Sequence, residues 1–461
     1  MEEILNKLES QYLTFKLGEE QKEALLSVFS FINSSDRVFT LCGSAGTGKS
    51  TIALLIIKYL QLNNINYRLV APTHKSKRVL RDMTNEDVIT IHQLLALKPT
   101  IDILELDLND LQFTTSTMTN SVPNNGILII DECSMINNQL YDFIIDSCND
   151  KNCKVLFLGD IRQIEPVKQR TLAKPFKCDN KFELSKIYRQ SEENPLRDLL
   201  SNLRKKPQYE FNSFESKNGN LIIYDNWKPF IKENIHFFKE AIDTNDPERI
   251  KILAYTNKRV EAFNRVVREM LFDKPSEYEV GEILTGYDNC EFNPSNTVIT
   301  NSNDYQIKHV VKDMITIEGI TLLGWTVVLY DFETLKLNRV FILSKDNNEK
   351  VLTDLAFLIE DIRTTAIKEK NPKRRVILWK KYYKIIGSFI IPFDLTYNNR
   401  VVKKKSIDYG YALSVHKSQG SSYNNVLIDM GNIMKCVNKV ELRQLQYVAV
   451  SRTRQDVIML K

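Results

Sequence analysis

Gly43-Ser44-Ala45-Gly46-Thr47-Gly48-Lys49-Ser50-Thr51 fits the pattern G-x-x-x-x-G-K-[ST]. It stands between an apolar, β-branched run, Val38–Cys42, and a helix candidate, Ser50–Tyr59, which is the context in which that pattern binds phosphate. Gly43, Gly46 and Gly48 let the backbone wrap closely enough for its N–H groups to face a phosphate chain, with Thr47 and Thr51 in the same cradle. Lys49 is placed to reach the β- and γ-phosphates, and the Ser50 hydroxyl to hold Mg²⁺. Farther along, Ile127-Leu128-Ile129-Ile130 runs into Asp131-Glu132. Four apolar residues make a buried strand, and the acidic pair emerges at its carboxyl end, where α/β sheets place ligands. Asp131 suits Mg²⁺, through its water shell, and Glu132 suits the orientation and deprotonation of an attacking water. Alone, the pair reads equally well with Asp131 as a helix N-cap. With the phosphate loop upstream, the two motifs together imply ATP hydrolysis.

A further strand candidate, Val155–Leu158, leads into Gly159-Asp160, with Gln163 three residues on. A Gln amide can donate to a γ-phosphate oxygen and change partner when the phosphate leaves. The alternative is that Gly159-Asp160 is simply a turn.

Short β-branched runs alternating with amphipathic helices must carry these residues, the pattern of parallel sheets with crossover helices. Residues 1–180 read as one α/β domain, with strands at Val38–Cys42, Tyr67–Ala71, Ile127–Ile130 and Lys154–Leu158 and a helix from His74. A second set comprises Lys251–Ala254, the helix Lys258–Leu271, Tyr411–Val415, Val426–Ile428, the helix Lys439–Val450 and Val457–Leu460. It assigns 181–275 with 405–461 to a second α/β domain split by an insertion at 276–404. The expected fold is therefore α/β, with two parallel-sheet domains. A small insertion at about 94–125 interrupts the first, and a larger, basic, partly β insertion interrupts the second.

With these motifs in this order, the chain resembles the RecD/Dda-like branch of the superfamily-one helicases, from about Leu17 to the C-terminus and faintly in both insertions. The resemblance implies two RecA-like motor domains, a strand-separating pin in the first insertion, an SH3-like second insertion with an extended arm, and 5′-to-3′ travel along single-stranded DNA. By the same resemblance, Gln21 in Gly18-Glu19-Glu20-Gln21 reads adenine. Pro72, Thr73, His74 and Lys75, then Thr90 and His92, become DNA contacts. Arg189 in Tyr188-Arg189-Gln190 touches the γ-phosphate, and Arg452 in Tyr447–Arg454 is an arginine finger. These two arginines would meet Lys49 across a cleft. Asn257, Ser414, His416 and Lys417 are further DNA contacts, and Gly420 closes the coupling motif 411–420 and touches nucleotide. One departure is Glu165-Pro166, where a Pro-Pro or Arg-Pro step is commoner. Phe113 is a candidate for the pin, with core packing as its alternative. Trp379, Tyr382 and Tyr383, interleaved with Lys380, Lys381 and Lys384, suit base stacking with backbone attraction. An amphipathic helix packed on the insertion explains those aromatics as well.

A chain of 461 residues exceeds one hydrophobic core, and 43% hydrophobic with 26% charged residues is ordinary for a soluble protein. The net charge of +5 conceals a basic stretch, Thr365–Lys405, with twelve Lys/Arg against two acidic residues, a surface for phosphate backbones or simply a solvated face. The seven cysteines form no CxxC pair or metal-ligand cluster, so free thiols are expected. MEEILNKLES lacks an apolar signal core, and no apolar run approaches the roughly 20 residues that span a bilayer. The expectation is a cytoplasmic monomer using ATP and Mg²⁺, with single-stranded and forked duplex DNA as partners and a single-strand-binding or replication protein as a further candidate. A signalling GTPase would need a guanine reader, and Thr256-Asn257-Lys258-Arg259 lacks its Asp. A small kinase would need no second α/β set. A binding module without catalysis would not retain Lys49, Asp131, Glu132, Gln163, Arg189 and Arg452 together.

Overall fold

The computed structural model describes residues 1–44, 46–95, 121–164, 172–186, 195–205, 210–293 and 296–461. Most of the first insertion, with Phe113 and the pin, lies outside the described residues. The chain forms two compact units, 1–226 with 253–256 and 414–461, and 227–252 with 257–413.

The first unit is built on six strands: β1 (Val38–Gly43), β2 (Tyr67–Ala71), β3 (Val88–Thr90), β4 (Ile127–Ile130), β5 (Lys154–Gly159) and β6 (Lys181–Leu184). They lie in the order β3-β2-β4-β5-β1-β6, every pair parallel. Buried on both faces, the inner strands β2, β4, β5 and β1 are mainly apolar runs rather than alternating ones. Leu41, Leu69, Ile129, Leu156 and Leu158 point to one side, against helices α1 (Glu2–Tyr12), α2 (Glu19–Asn33) and α3 (Lys49–Leu62). Cys42, Val70, Leu128, Ile130 and Phe157 point to the other, against Leu140 and Ile144 of the helix Asn138–Asp150. β6 lies beyond the expected domain end at 180. It pairs with β1, so the first sheet runs to Leu184. Its sequence, Lys-Phe-Glu-Leu, alternates because it is an edge strand with one face open, and so lacks the apolar run that marks its neighbours.

Three strands of a second parallel sheet also lie in this unit. Thr453–Leu460 is flanked by Tyr423–Asp429 and Leu221–Tyr224, both parallel to it. Two further strands of that sheet, Ile250–Ala254 and Ala412–Ser414, run through the points where the chain divides between units.

In the second unit an antiparallel five-stranded sheet is ordered Leu337–Leu343, Ile320–Asp331, Asp304–Ile317, Ile283–Gly286, Ile407–Tyr409. A long hairpin, 304–331, turns at Glu318-Gly319, both with positive φ as a tight hairpin turn requires. Helices Glu349–Lys368 and Pro372–Gly387 pack through Leu355, Ile359 and Ile385 onto the sheet residues Phe341 and Leu343. Beneath the sheet, the Arg268 guanidinium pairs with Glu282, which is fully buried, and lies 4.0 Å from the Tyr409 ring. Among the described residues no helix is long and apolar enough to cross a membrane.

Candidate nucleotide site

The phosphate loop is a turn that only glycine can complete. Gly46 and Gly48 have φ of 83° and 88°, and a Cβ on Gly48 would come within 2.3 Å of Gln21 Nε2. The fully buried Thr47 closes the loop from within, its hydroxyl donating to the Ser44 carbonyl at 2.9 Å. Gln21 is used structurally at both ends: Oε1 accepts from Gly18 N–H at 3.0 Å, completing the N-terminal cap of α2, and Nε2 donates to the Thr47 carbonyl at 3.0 Å. The residue expected to read adenine therefore also braces the loop. Lys49 starts α3, its ammonium donating to the carbonyls of Gly43 at 2.6 Å and Ser44 at 3.1 Å, at the mouth of the loop.

At the end of β4, Asp131 Oδ1 accepts Glu132 N–H at 2.8 Å. Lost hydration, followed by the Glu132 charge, pushes the Asp131 carboxyl up to about 7, against the pull of Lys49. The N-cap alternative does not hold: the 3₁₀ turn Cys133–Met135 has Glu132 in the cap position, with no side-chain cap bond. Glu132 itself has φ +51°, the left-handed region, and its Oε2 is buried with no hydrogen-bond partner among the described residues. A carboxylate pair with one deprotected oxygen and one raised pKa fits a hydrated divalent cation and a water, with Ser50 and Asp131 as the residues that would hold the ion. Among the described residues no group of three His, Cys, Asp or Glu offers another metal site.

Gln163 follows β5 and is buried, its Oε1 accepting from Ser134 Oγ at 3.2 Å, while its amide N–H₂ has no partner among the described residues. Arg452 ends the helix Lys439–Ser451 and is only 4% exposed. Its guanidinium donates to Val448 O at 3.2 Å, Ser421 O at 3.1 Å and Ser451 Oγ at 3.0 Å, with no carboxylate paired to it among the described residues. One cavity of about 470 Å³ is lined by Gln21, Gly46, Gly48, Lys49, Ser50, Thr51, Asp131, Glu132, Gln163, Gly420 and Arg452, all in the first unit. The rest of its lining, the apolar Phe15, Val79 and Met83 with Lys16, Ser76, Ser421 and Ser422, was not singled out from the sequence.

The expected DNA contacts fare differently. Lys75 is 8% exposed, its ammonium 4.8 Å from the Tyr423 ring centroid and 3.4 Å from that hydroxyl, an internal strut rather than an exposed cation. Thr73 and Thr90 spend their hydroxyls capping helices, on Ser76 N–H and Gln93 N–H, and Pro72 is buried. Ser414 Oγ accepts from Lys417 N–H at 3.3 Å, and His416 pairs with Glu441 at 3.4 Å, its imidazole held low chiefly by burial. Asn257 is exposed at the start of the helix Asn257–Leu271. Trp379 is half-buried, stacked on Tyr383 at 5.9 Å and edge-on to Tyr382 at 5.4 Å. Tyr382 packs on the core of the insertion, so part of that aromatic group serves packing. Arg189 lies outside the described residues, as do the side chains of His74 and His92.

Residues 16–222 match the family described as AAA domain, and residues 409–460 the family described as UvrD-like helicase C-terminal domain. The ATP-dependent DNA helicase dda of Enterobacteria phage T4 is 24% identical, over 96% of this chain and 98% of its own length. The RecBCD enzyme subunit RecD of Buchnera aphidicola subsp. Schizaphis graminum is 23% identical, over 96% of this chain and 73% of its own. Among solved structures, the Pif1 helicase from Candida albicans aligns with a TM-score of 0.49 at 16% identity, covering 97% of this chain and 95% of that one. The phosphate loop, the acidic pair, the Gln163 turn and the Arg452 helix are gathered on one cavity, and the chain is similar nearly end to end to relatives of the RecD/Dda-like branch of the superfamily-one helicases.

Proposed function

We propose that the chain is an ATP-dependent DNA helicase that moves 5′ to 3′ on single-stranded DNA and separates duplex ahead of it. The observation that carries the reading is the convergence of Lys49, Ser50, Asp131, Glu132, Gln163 and Arg452 on one cavity. Lys49 and the loop N–H groups bind the phosphate chain, and Glu132 holds and deprotonates the attacking water through its unpartnered oxygen. When bound, Mg²⁺ at Ser50 and Asp131 supplies charge neutralisation for the transferring phosphoryl group. Gln163 turns its amide to the γ-phosphate, while Arg452 stabilises the charge that develops there. DNA as the track and ATP as fuel come from the relatives, one of which is named as an ATP-dependent DNA helicase, and the direction of travel from the motif resemblance. The basic Pro372–Gly387 helix, with Trp379 and Lys380, supplies a surface for the strand. Strand displacement on duplexes with a 5′ or a 3′ single-stranded tail tests it. Unwinding only from the 5′ tail, dependent on ATP and Mg²⁺, is expected; equal unwinding from both tails removes the polarity, and none from either removes the function.

A further inference from the structure

The turn that carries Gln163 is held from both flanks by the C-terminal segment. On one side Tyr447 donates its hydroxyl to Asp160 Oδ2 at 2.8 Å, across 287 residues of sequence. Both partners are essentially excluded from water, at 3% and 1% exposure. The other Asp160 oxygen accepts Arg162 N–H at 2.9 Å, and its carbonyl accepts Gln163 N–H at 3.1 Å, so this carboxylate shapes the turn it belongs to. On the other side Gln419 Nε2 donates to the Ile164 carbonyl at 3.1 Å. Tyr447 sits five residues before Arg452 on the same helix, and Gln419 immediately precedes Gly420, which has φ +72° and lines the cavity. Gln163 thus lies between two clamped points, each leading within a few residues to another cavity-lining residue.

We propose that Tyr447 and Gln419 are positioning residues that yoke the Gln163 turn to the Arg452 helix and the Gly420 loop, so that a displacement of Gln163 on phosphate release moves both. Resting on the hydrolysis reading above, this adds where that reading's mechanical output leaves the site. Buried hydrogen bonds in a closely packed setting transmit small shifts because the packing has few intermediate arrangements. Neither side chain lines the cavity, so their loss should degrade coupling and turnover rather than binding.

Tyr447→Phe and Gln419→Leu each remove a bond while keeping most of the side-chain volume. Tyr305→Phe serves as a control, deleting an equally buried hydroxyl that accepts Thr300 N–H in the second unit. In the full-length protein, KM for ATP, DNA-stimulated kcat, ATP consumed per nucleotide travelled, and Tm are measured. For both test variants KM should stay within about twofold, while kcat falls by about tenfold and ATP per nucleotide rises, the scale expected when catalytic groups shift by a fraction of an ångström. Tyr305→Phe should lower Tm by a similar amount with stoichiometry unchanged. Wild-type ATP stoichiometry in Tyr447→Phe overturns the yoke, and so does a loss in which KM and kcat follow Tm as they do in the control. Absence of DNA-stimulated hydrolysis in the unaltered protein would instead remove the reading on which the yoke rests.

Discussion

Replacing Arg452 by Ala separates catalysis from architecture more sharply than any other change in the site. The guanidinium is 4% exposed and is satisfied only by neutral oxygens, those of Val448, Ser421 and Ser451. Removing it strips a donor from two backbone carbonyls, at about 1–3 kcal/mol for each group left unpaired. Together that is about 2–6 kcal/mol, so a domain of mid-range stability, about 10 kcal/mol, survives the loss, and one left with only about 2 kcal/mol is still roughly 97% folded. Unfolding therefore cannot account for more than a small part of any large activity loss. An arginine stabilising phosphoryl-transfer charge is worth about 10³-fold or more in kcat, which is about 4 kcal/mol of barrier. Steady-state ATP hydrolysis at saturating single-stranded DNA should fall by about 10³-fold in Arg452→Ala, with a cooperative melt preserved. Arg452→Lys should recover little, because a point charge cannot fork between acceptors as a guanidinium does. A drop of only a few-fold in a folded Arg452→Ala protein would refute the transition-state role and leave Arg452 as the C-terminal fastening of its helix.

Lys49→Ala should abolish DNA-stimulated turnover while strand binding, followed by fluorescence anisotropy, stays measurable; normal turnover would unseat the phosphate-loop assignment. Arg268→Ala leaves Glu282 buried without its partner and should cost about 3–5 kcal/mol in urea unfolding of the second unit; a cost below about 1 kcal/mol would mean that water reaches the site. The Cys42 thiol is pushed up to about 12, chiefly by burial, and so stays protonated below that pH. At pH 8 it should carry about a thousandfold less thiolate than an ordinary thiol and resist maleimide in the native protein, with labelling appearing only on denaturation. Prompt labelling of Cys42 by mass mapping would show that the β1 core opens readily.

The nucleotide site was legible because its chemistry is written in contiguous residues. The loop 43–51 and the pair Asp131-Glu132 each combine an apolar strand with the reactive group at its end, and β2 and β4 fall where the apolar runs place them. Edge strand β6 escaped that reading because only one of its faces is covered. Contacts between distant segments were not readable. Nothing in Tyr447 or Asp160 taken singly announces their bond, and the resemblance that makes Lys75 a DNA contact does not announce the Tyr423 ring against its ammonium. Thr73 and Thr90 show the same limit at close range: their capping bonds to Ser76 and Gln93 N–H are seen only in the folded chain. In the insertion, alternation suggested small β structure, whereas the hairpin 304–331 and its two covering helices depend on pairings that only the folded chain displays.

Glu132 has a left-handed backbone and an unpartnered oxygen at the same residue, two local penalties that a protein indifferent to hydrolysis would shed. Glycine or asparagine at this position should relax the main chain and remove the stranded carboxylate, giving a protein that melts at a higher temperature yet cannot fire. Such an inert, sturdier version is the natural reagent for trapping the enzyme on a forked substrate with its fuel unspent.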